Sequence, residues 1–168
     1  MNPRSAALGV VALTATIGLL GSAPAVAAPV REAPSAPAPV ISQALPAGYD
    51  AQAVYEAQQR CQPSPRPGTR ALAALITRTY GSNQSIGLTR ACSIGGTSEH
   101  KDGRAIDWMT SIRSKQGRAN ARAFLAWLLG PDAAGTPFGN ATRLGIMYIG
   151  WNDRFWAAYD TGRGWTEL

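Results

Sequence analysis

Along residues 49–168 the apolar positions recur at two periods, and the polar interruptions mark where one gives way to the other. Leu72, Leu75, Ile76 and Thr79 fall on one face of a helix over Arg70–Tyr80, with Thr69 as its N-cap and Gly81-Ser82-Asn83 as its stop. Ala119, Ala123, Phe124, Trp127 and Leu128 make the stripe of a longer helix. It begins at Ser114 or Lys115 and ends near Gly130-Pro131, with Arg118 and Arg122 toward its exposed side. Asp50 is an N-cap for a shorter helix over Ala51–Arg60. Alternating or continuous short runs predict strands at Ile86–Arg90, Ala105–Met109, Ile146–Trp151 and Arg154–Ala158. Asn152-Asp153 joins the last two, because both residues tolerate positive φ. One or two helical turns are expected over Phe138–Leu144. These elements predict an α+β domain, helices around a small antiparallel sheet.

The first 48 residues follow neither period. Arg4, the apolar run Ala6–Leu20 and Ala25-Val26-Ala27 are the three parts of a secretory signal over residues 1–27. The run is too short for a stable membrane span, an uncleaved anchor being the alternative. Residues 28–48 are rich in Ala and Pro, bury little, and read as an extended tether. That leaves 49–168 as one domain with one core. A secreted protein keeps its cysteines oxidised, so Cys61 and Cys92 are expected to form one disulfide. Two free thiols are the alternative. The net charge is +6 for the whole chain. Such a balance suits an anionic cell wall or simply confers solubility. No nucleic-acid-binding motif accompanies it. A monomer is expected.

The chemistry concentrates in Ser98-Glu99-His100-Lys101-Asp102-Gly103-Arg104-Ala105-Ile106-Asp107, which holds the chain's single histidine. Asp102-Gly103 favours a two-residue hairpin turn. That hairpin would put Ser98, His100, Ala105 and Asp107 on one face. His100 and Asp107 would then be diagonal neighbours, close enough to share a metal ion. Ser98 would stand across from Asp107 and hydrogen-bond it in support. Glu99 would point away, and Lys101 and Arg104 would stay solvated. The same segment also reads as an exposed, charged turn with no site at all.

The pattern S-x-H-x-x-G-x-A-x-D resembles the D-alanyl-D-alanine carboxypeptidase-like zinc peptidases, which have the Hedgehog/DD-peptidase fold. Ser98, His100, Gly103, Ala105 and Asp107 occupy all five fixed positions. The flanks CSIGGTSEHKDGRAIDW, ANARAFLAWLLGPDAAG and RLGIMYIGWNDRFWAAY are similar to secreted actinobacterial domains of that kind. The resemblance implies His100 and Asp107 as zinc ligands, a zinc-activated water, and the peptide stem of peptidoglycan as substrate. It also implies an arginine upstream of the motif for the oxyanion or substrate, and Arg90 is the positional candidate. It further implies a second zinc histidine, and a glutamate base before it, in a strand near the C-terminus. No histidine follows Trp165-Thr166-Glu167-Leu168 here, so that strand is expected to be missing. Three readings follow: a truncated, inactive member; a module that binds wall peptides without cleaving them; or an enzyme whose third ligand is Asp153, Asp160 or a residue of another chain. Tyr148, Trp151, Phe155 and Trp156 are expected in the core, the alternative being that they and Trp165 line a glycan- or peptide-binding groove. Trp165 is left unassigned.

Overall fold

The computed structural model describes residues 37–41, 52–81 and 85–168. The expected signal segment and most of the expected tether lie outside these residues, as does the N-cap Asp50. The described residues all belong to one compact unit, Pro34–Leu168. It is a mixed α and β structure in which every strand pairing is antiparallel.

Helix α1 spans Pro67–Tyr80. It starts earlier than Thr69 because Pro67, with φ already set and no N–H to lose, is suited to the first helical position. Thr69 is therefore inside the helix, and its hydroxyl donates to the Gly103 carbonyl at 2.8 Å instead of capping. Strands β1 (Ile86–Gly87) and β2 (Asp107–Trp108) are shorter than expected and pair with each other. Helix α2 covers Lys115–Leu129, and the Ser114 hydroxyl accepts from the Gly117 N–H as its N-cap. Helix α3, Gly139–Arg143, supplies the short turn expected before the last strands.

Strands β3 (Tyr148–Trp151), β4 (Arg154–Ala157) and β5 (Thr166–Glu167) form a second sheet in the order β3-β4-β5. The expected single sheet is thus two small ones. Asn152 and Asp153 both sit at positive φ, 52° and 57°, which closes the β3–β4 hairpin in the sense its strands require. The last residues do pair: Arg154 faces Glu167 and Phe155 faces Thr166.

Leu72, Leu75, Ile76, Phe124, Leu128 and Trp156 lead a core to which the two main helices and β4 contribute. Tyr80, Trp108 and Phe124 meet ring to ring within it. Ile41 is buried in the same core, so the Ala/Pro-rich segment is anchored there rather than trailing.

The helix expected over Ala51–Arg60 does not form; residues 52–60 run without regular structure. Their polar groups are committed elsewhere. Gln59 and Arg60 give their N–H groups to the Asp102 carboxylate, and the Glu56 and Ala57 carbonyls accept from Arg104. A helix would need those same groups for its own ladder. The segment instead wraps the histidine-bearing turn.

Candidate functional site

Glu99–Asp102 is one turn of 3-10 helix, closed by Gly103 in the left-handed region at φ 67°. The tight hairpin expected at Asp102-Gly103 is therefore absent, and so are its cross-strand pairings. Gly103 is required twice over. A Cβ there would be strained by the positive φ and would also lie 1.9 Å from the Ser64 carbonyl oxygen.

Two charged side chains hold this turn, and both were expected in solvent. Lys101 is 5 % exposed, and its ammonium donates to the carbonyls of Cys92, Gly95 and Gly96 at 3.0, 3.0 and 2.8 Å. Its own carbonyl accepts from the Gln62 N–H. Arg104 is half-buried and reaches Asp102 at 3.0 Å and Glu56 at 3.3 Å. Burial alone would raise the Asp102 pKa. The Arg104 guanidinium and the N–H groups of Gln59 and Arg60 outweigh it and hold the carboxyl below its ordinary value. No local pattern announces these contacts, because several of the partners come from forty or more residues earlier in the chain.

Cys61 and Cys92 form the expected disulfide, with Cα atoms 5.8 Å apart. It joins the wrapping segment to the loop whose carbonyls hold Lys101, so the cross-link and the buried ammonium tie together the same two stretches of chain.

On this platform His100 and Asp107 do meet, although not by the predicted route. His100 Nε2 lies 3.2 Å from Asp107 Oδ2. The imidazole is buried and the carboxylate is half open, with side-chain exposures of 11 % and 51 %. Asp107 is on β2 opposite Gly87 of β1, where a Cβ would touch the carboxylate at 3.6 Å. Gly87 is a residue of the site that its own neighbourhood in the chain did not suggest.

The other candidates are placed differently. Ser98 is buried and its N–H donates to Gln58 Oε1, but its hydroxyl makes no hydrogen bond to Asp107. Arg90 is exposed on the segment between β1 and Cys92. Glu99 turns toward the second sheet, where the Tyr148 hydroxyl donates to it at 2.6 Å. Burial, and then the bonded Glu99 carboxylate, push the Tyr148 pKa well up, so the phenol stays protonated and keeps donating. Asp160 is ion-paired with Arg163, and Asp153 is at the β3–β4 turn. Trp156 enters the core as expected, whereas Trp151 is half-buried and, with Trp165, lines a cavity.

An imidazole nitrogen and a carboxylate oxygen are the donor types zinc takes. Two such ligands at the corners of a tetrahedron are about 3.3 Å apart when each is about 2 Å from the ion. The observed 3.2 Å fits two corners of that arrangement, and it equally fits a direct imidazole–carboxylate contact. Among the described residues no third histidine, cysteine, aspartate or glutamate groups with the pair. His100 Nδ1 is buried without a hydrogen-bond partner, unlike the outer nitrogen of most ligating histidines.

Fold and site together define a small disulfide-linked α+β domain in which a buried histidine meets a half-open aspartate. The chain belongs to the family described as VldE, C-terminal domain, whose model matches residues 61–168. No curated protein and no solved structure matches the chain.

Proposed function

We propose that the domain works outside the cell, holds one zinc ion between His100 and Asp107, and is directed at the peptide stems of peptidoglycan. The 3.2 Å approach of Nε2 to Oδ2, on a turn fixed by Lys101 and Asp102, carries the metal part of this reading. The Cys61–Cys92 disulfide is compatible with an oxidising compartment. The S-x-H-x-x-G-x-A-x-D resemblance and the basic net charge support the choice of substrate.

His100 binds through Nε2 and brings an imidazole that burial has already immobilised, so little rotamer freedom is lost on binding. Asp107 would hold the ion from β2, and its carboxylate is half open to solvent. When bound, zinc supplies Lewis-acid polarisation of a carbonyl and a more acidic water. Arg90, exposed upstream of the motif, is the group to meet a substrate carboxylate. Glu99, tied to Tyr148, positions the turn rather than acting as a base.

A second reading, recognition of wall peptides without cleavage, rests on the single histidine of the sequence, where the resembled peptidases use two. One experiment separates the two. The purified full chain is equilibrated with zinc at neutral pH, its metal content is measured, and release of D-alanine from a D-Ala-D-Ala-ended peptide is followed. The metal reading expects about one zinc per chain, lost in His100→Ala and in Asp107→Asn. Zinc uptake with D-alanine release supports the peptidase; zinc uptake and peptide binding without release support the recognition module. A chain that takes up no zinc sinks the metal reading.

A further inference from the structure

A cavity of about 550 Å³ opens between one face of α2, the β3–β4 turn and Trp165. Neither His100, nor Asp107, nor the turn between them contributes to its wall. Arg118 and Arg122 project into it one helical turn apart, and Arg154 faces them from β4. Trp151 and Trp165 supply aromatic surface, and Asn152 adds an amide. No carboxylate lines its wall, and Glu167, paired in register with Arg154, lies on the same face of the sheet at its edge.

The arrangement is unfavourable without an anion. Arginines four apart on a helix repel each other. Arg118 and Arg154 each spend one donor on a backbone carbonyl, of Ile112 and of Trp165. Those bonds engage one donor on each guanidinium and leave most of their five N–H donors unused. Arg122 makes no hydrogen bond or ion pair within the described residues. Three guanidinium groups around one hollow match an oxyanion, which each can take through two parallel bonds.

The remaining surface says what else the ligand carries. Half-buried indoles present flat apolar faces, suited to the C–H face of a sugar ring, and the Asn152 amide can both give and accept a hydroxyl hydrogen bond. The volume lies within the range of small-molecule sites, about 300–1,000 Å³. It admits a sugar unit.

We propose that this Arg118–Arg122–Arg154 cavity, walled by Trp151 and Trp165, is a binding site for a saccharide unit bearing a phosphate or a carboxylate. The site is independent of the zinc reading, and either can fail alone.

Calorimetric titration of the full chain tests it with five probes: N-acetylglucosamine 1-phosphate, glucuronic acid, neutral N-acetylglucosamine, inorganic phosphate and uridine monophosphate. The expected result is binding of one or both anionic sugars, at millimolar Kd or tighter, with the neutral sugar and inorganic phosphate each much weaker. A stronger response to the sugar phosphate or to the sugar acid identifies which oxyanion is preferred. Arg122→Gln, at an exposed position with no partner to lose, should weaken that binding about tenfold, the loss of one charge-assisted contact. His100→Ala should bind as the wild type does. The proposal is overturned if neutral and anionic sugars bind alike, if uridine monophosphate binds best, if Arg122→Gln binds unchanged, if His100→Ala abolishes binding, or if no anionic sugar binds at roughly 10 mM.

Discussion

Lys101 is buried without an ion pair among the described residues; its three N–H donors meet three carbonyl oxygens instead. Such burial is tolerable only when every donor is satisfied. Lys101→Met keeps the apolar stem and removes the donors, leaving the Cys92, Gly95 and Gly96 carbonyls without that partner. We expect a loss of about 2–4 kcal/mol in urea unfolding, within the range for hydrogen bonds to a charged group and the acceptors they leave behind. An unchanged midpoint would mean that water replaces the ammonium at no cost. Gly103→Ala is the contrasting case, since it removes nothing. It should still destabilise by at least about 2 kcal/mol, because positive φ and the nearby Ser64 carbonyl both oppose a Cβ. The need for Gly103 was legible in the chain, because glycine after aspartate signals a left-handed turn residue. The role of Lys101 was not, because a lysine between a histidine and an aspartate looks the same whether the turn faces water or protein.

At the scale of elements, legibility tracked how local the determinants are. Helix α2 was readable because Ser114 caps it and its stripe repeats every three or four residues. Replacing that cap, Ser114→Ala, should cost about 1 kcal/mol in the same unfolding measurement. The β3–β4 hairpin was readable from Asn152-Asp153, and the observed positive φ at both positions carries a further prediction. Asp153→Gly relieves the left-handed strain and should stabilise by about 0.5–1 kcal/mol, provided the Leu168 N–H keeps its bond to the residue 153 carbonyl. The segment 52–60 was misread for the opposite reason. Its composition permits a helix, but Asp102 and Arg104 offer its backbone groups partners that no window around the segment contains. Local preference of a few tenths of a kcal/mol per residue yields to such tertiary bonds. The His100–Asp107 meeting survived a wrong intermediate: both the expected hairpin and the observed 3-10 turn reverse the chain between the two residues.

The stability of the whole molecule responds to acid through Asp102 and Asp132 and to reduction through Cys61–Cys92. Asp132 resembles Asp102 in being buried and committed. The Thr136 N–H leads in lowering its pKa, burial opposes, and the Ala134 N–H and the Arg143 charge add to the lowering. For a carboxyl whose pKa is lower folded than unfolded, the stabilisation is complete above the unfolded value. It is lost as the pH falls through the folded one. Stability should therefore be flat above about pH 5 and decline progressively below about pH 4, where unfolded aspartate takes up its proton. Asp102→Asn should flatten part of that decline. The disulfide makes the sharper case. Cys61→Ser with Cys92→Ser should cost roughly 3–4 kcal/mol for a closed loop of this length, if constraint of the unfolded chain is the whole effect. The folded contacts predict something more local besides. Cys92 contributes a carbonyl to Lys101, and Gln62, next to Cys61, bonds the Lys101 carbonyl. Without the cross-link these two segments are free to separate around the turn that carries His100. Hydrogen exchange distinguishes the two effects. A purely unfolded-state effect accelerates the most protected amides of α2 and those of the turn in proportion to the global loss. Local support by the disulfide instead predicts that the amides of Lys101, Gly103 and Arg104 exchange faster than global unfolding requires, while α2 follows global stability. Zinc uptake, if His100 and Asp107 provide it, should weaken with the same turn amides and not with α2.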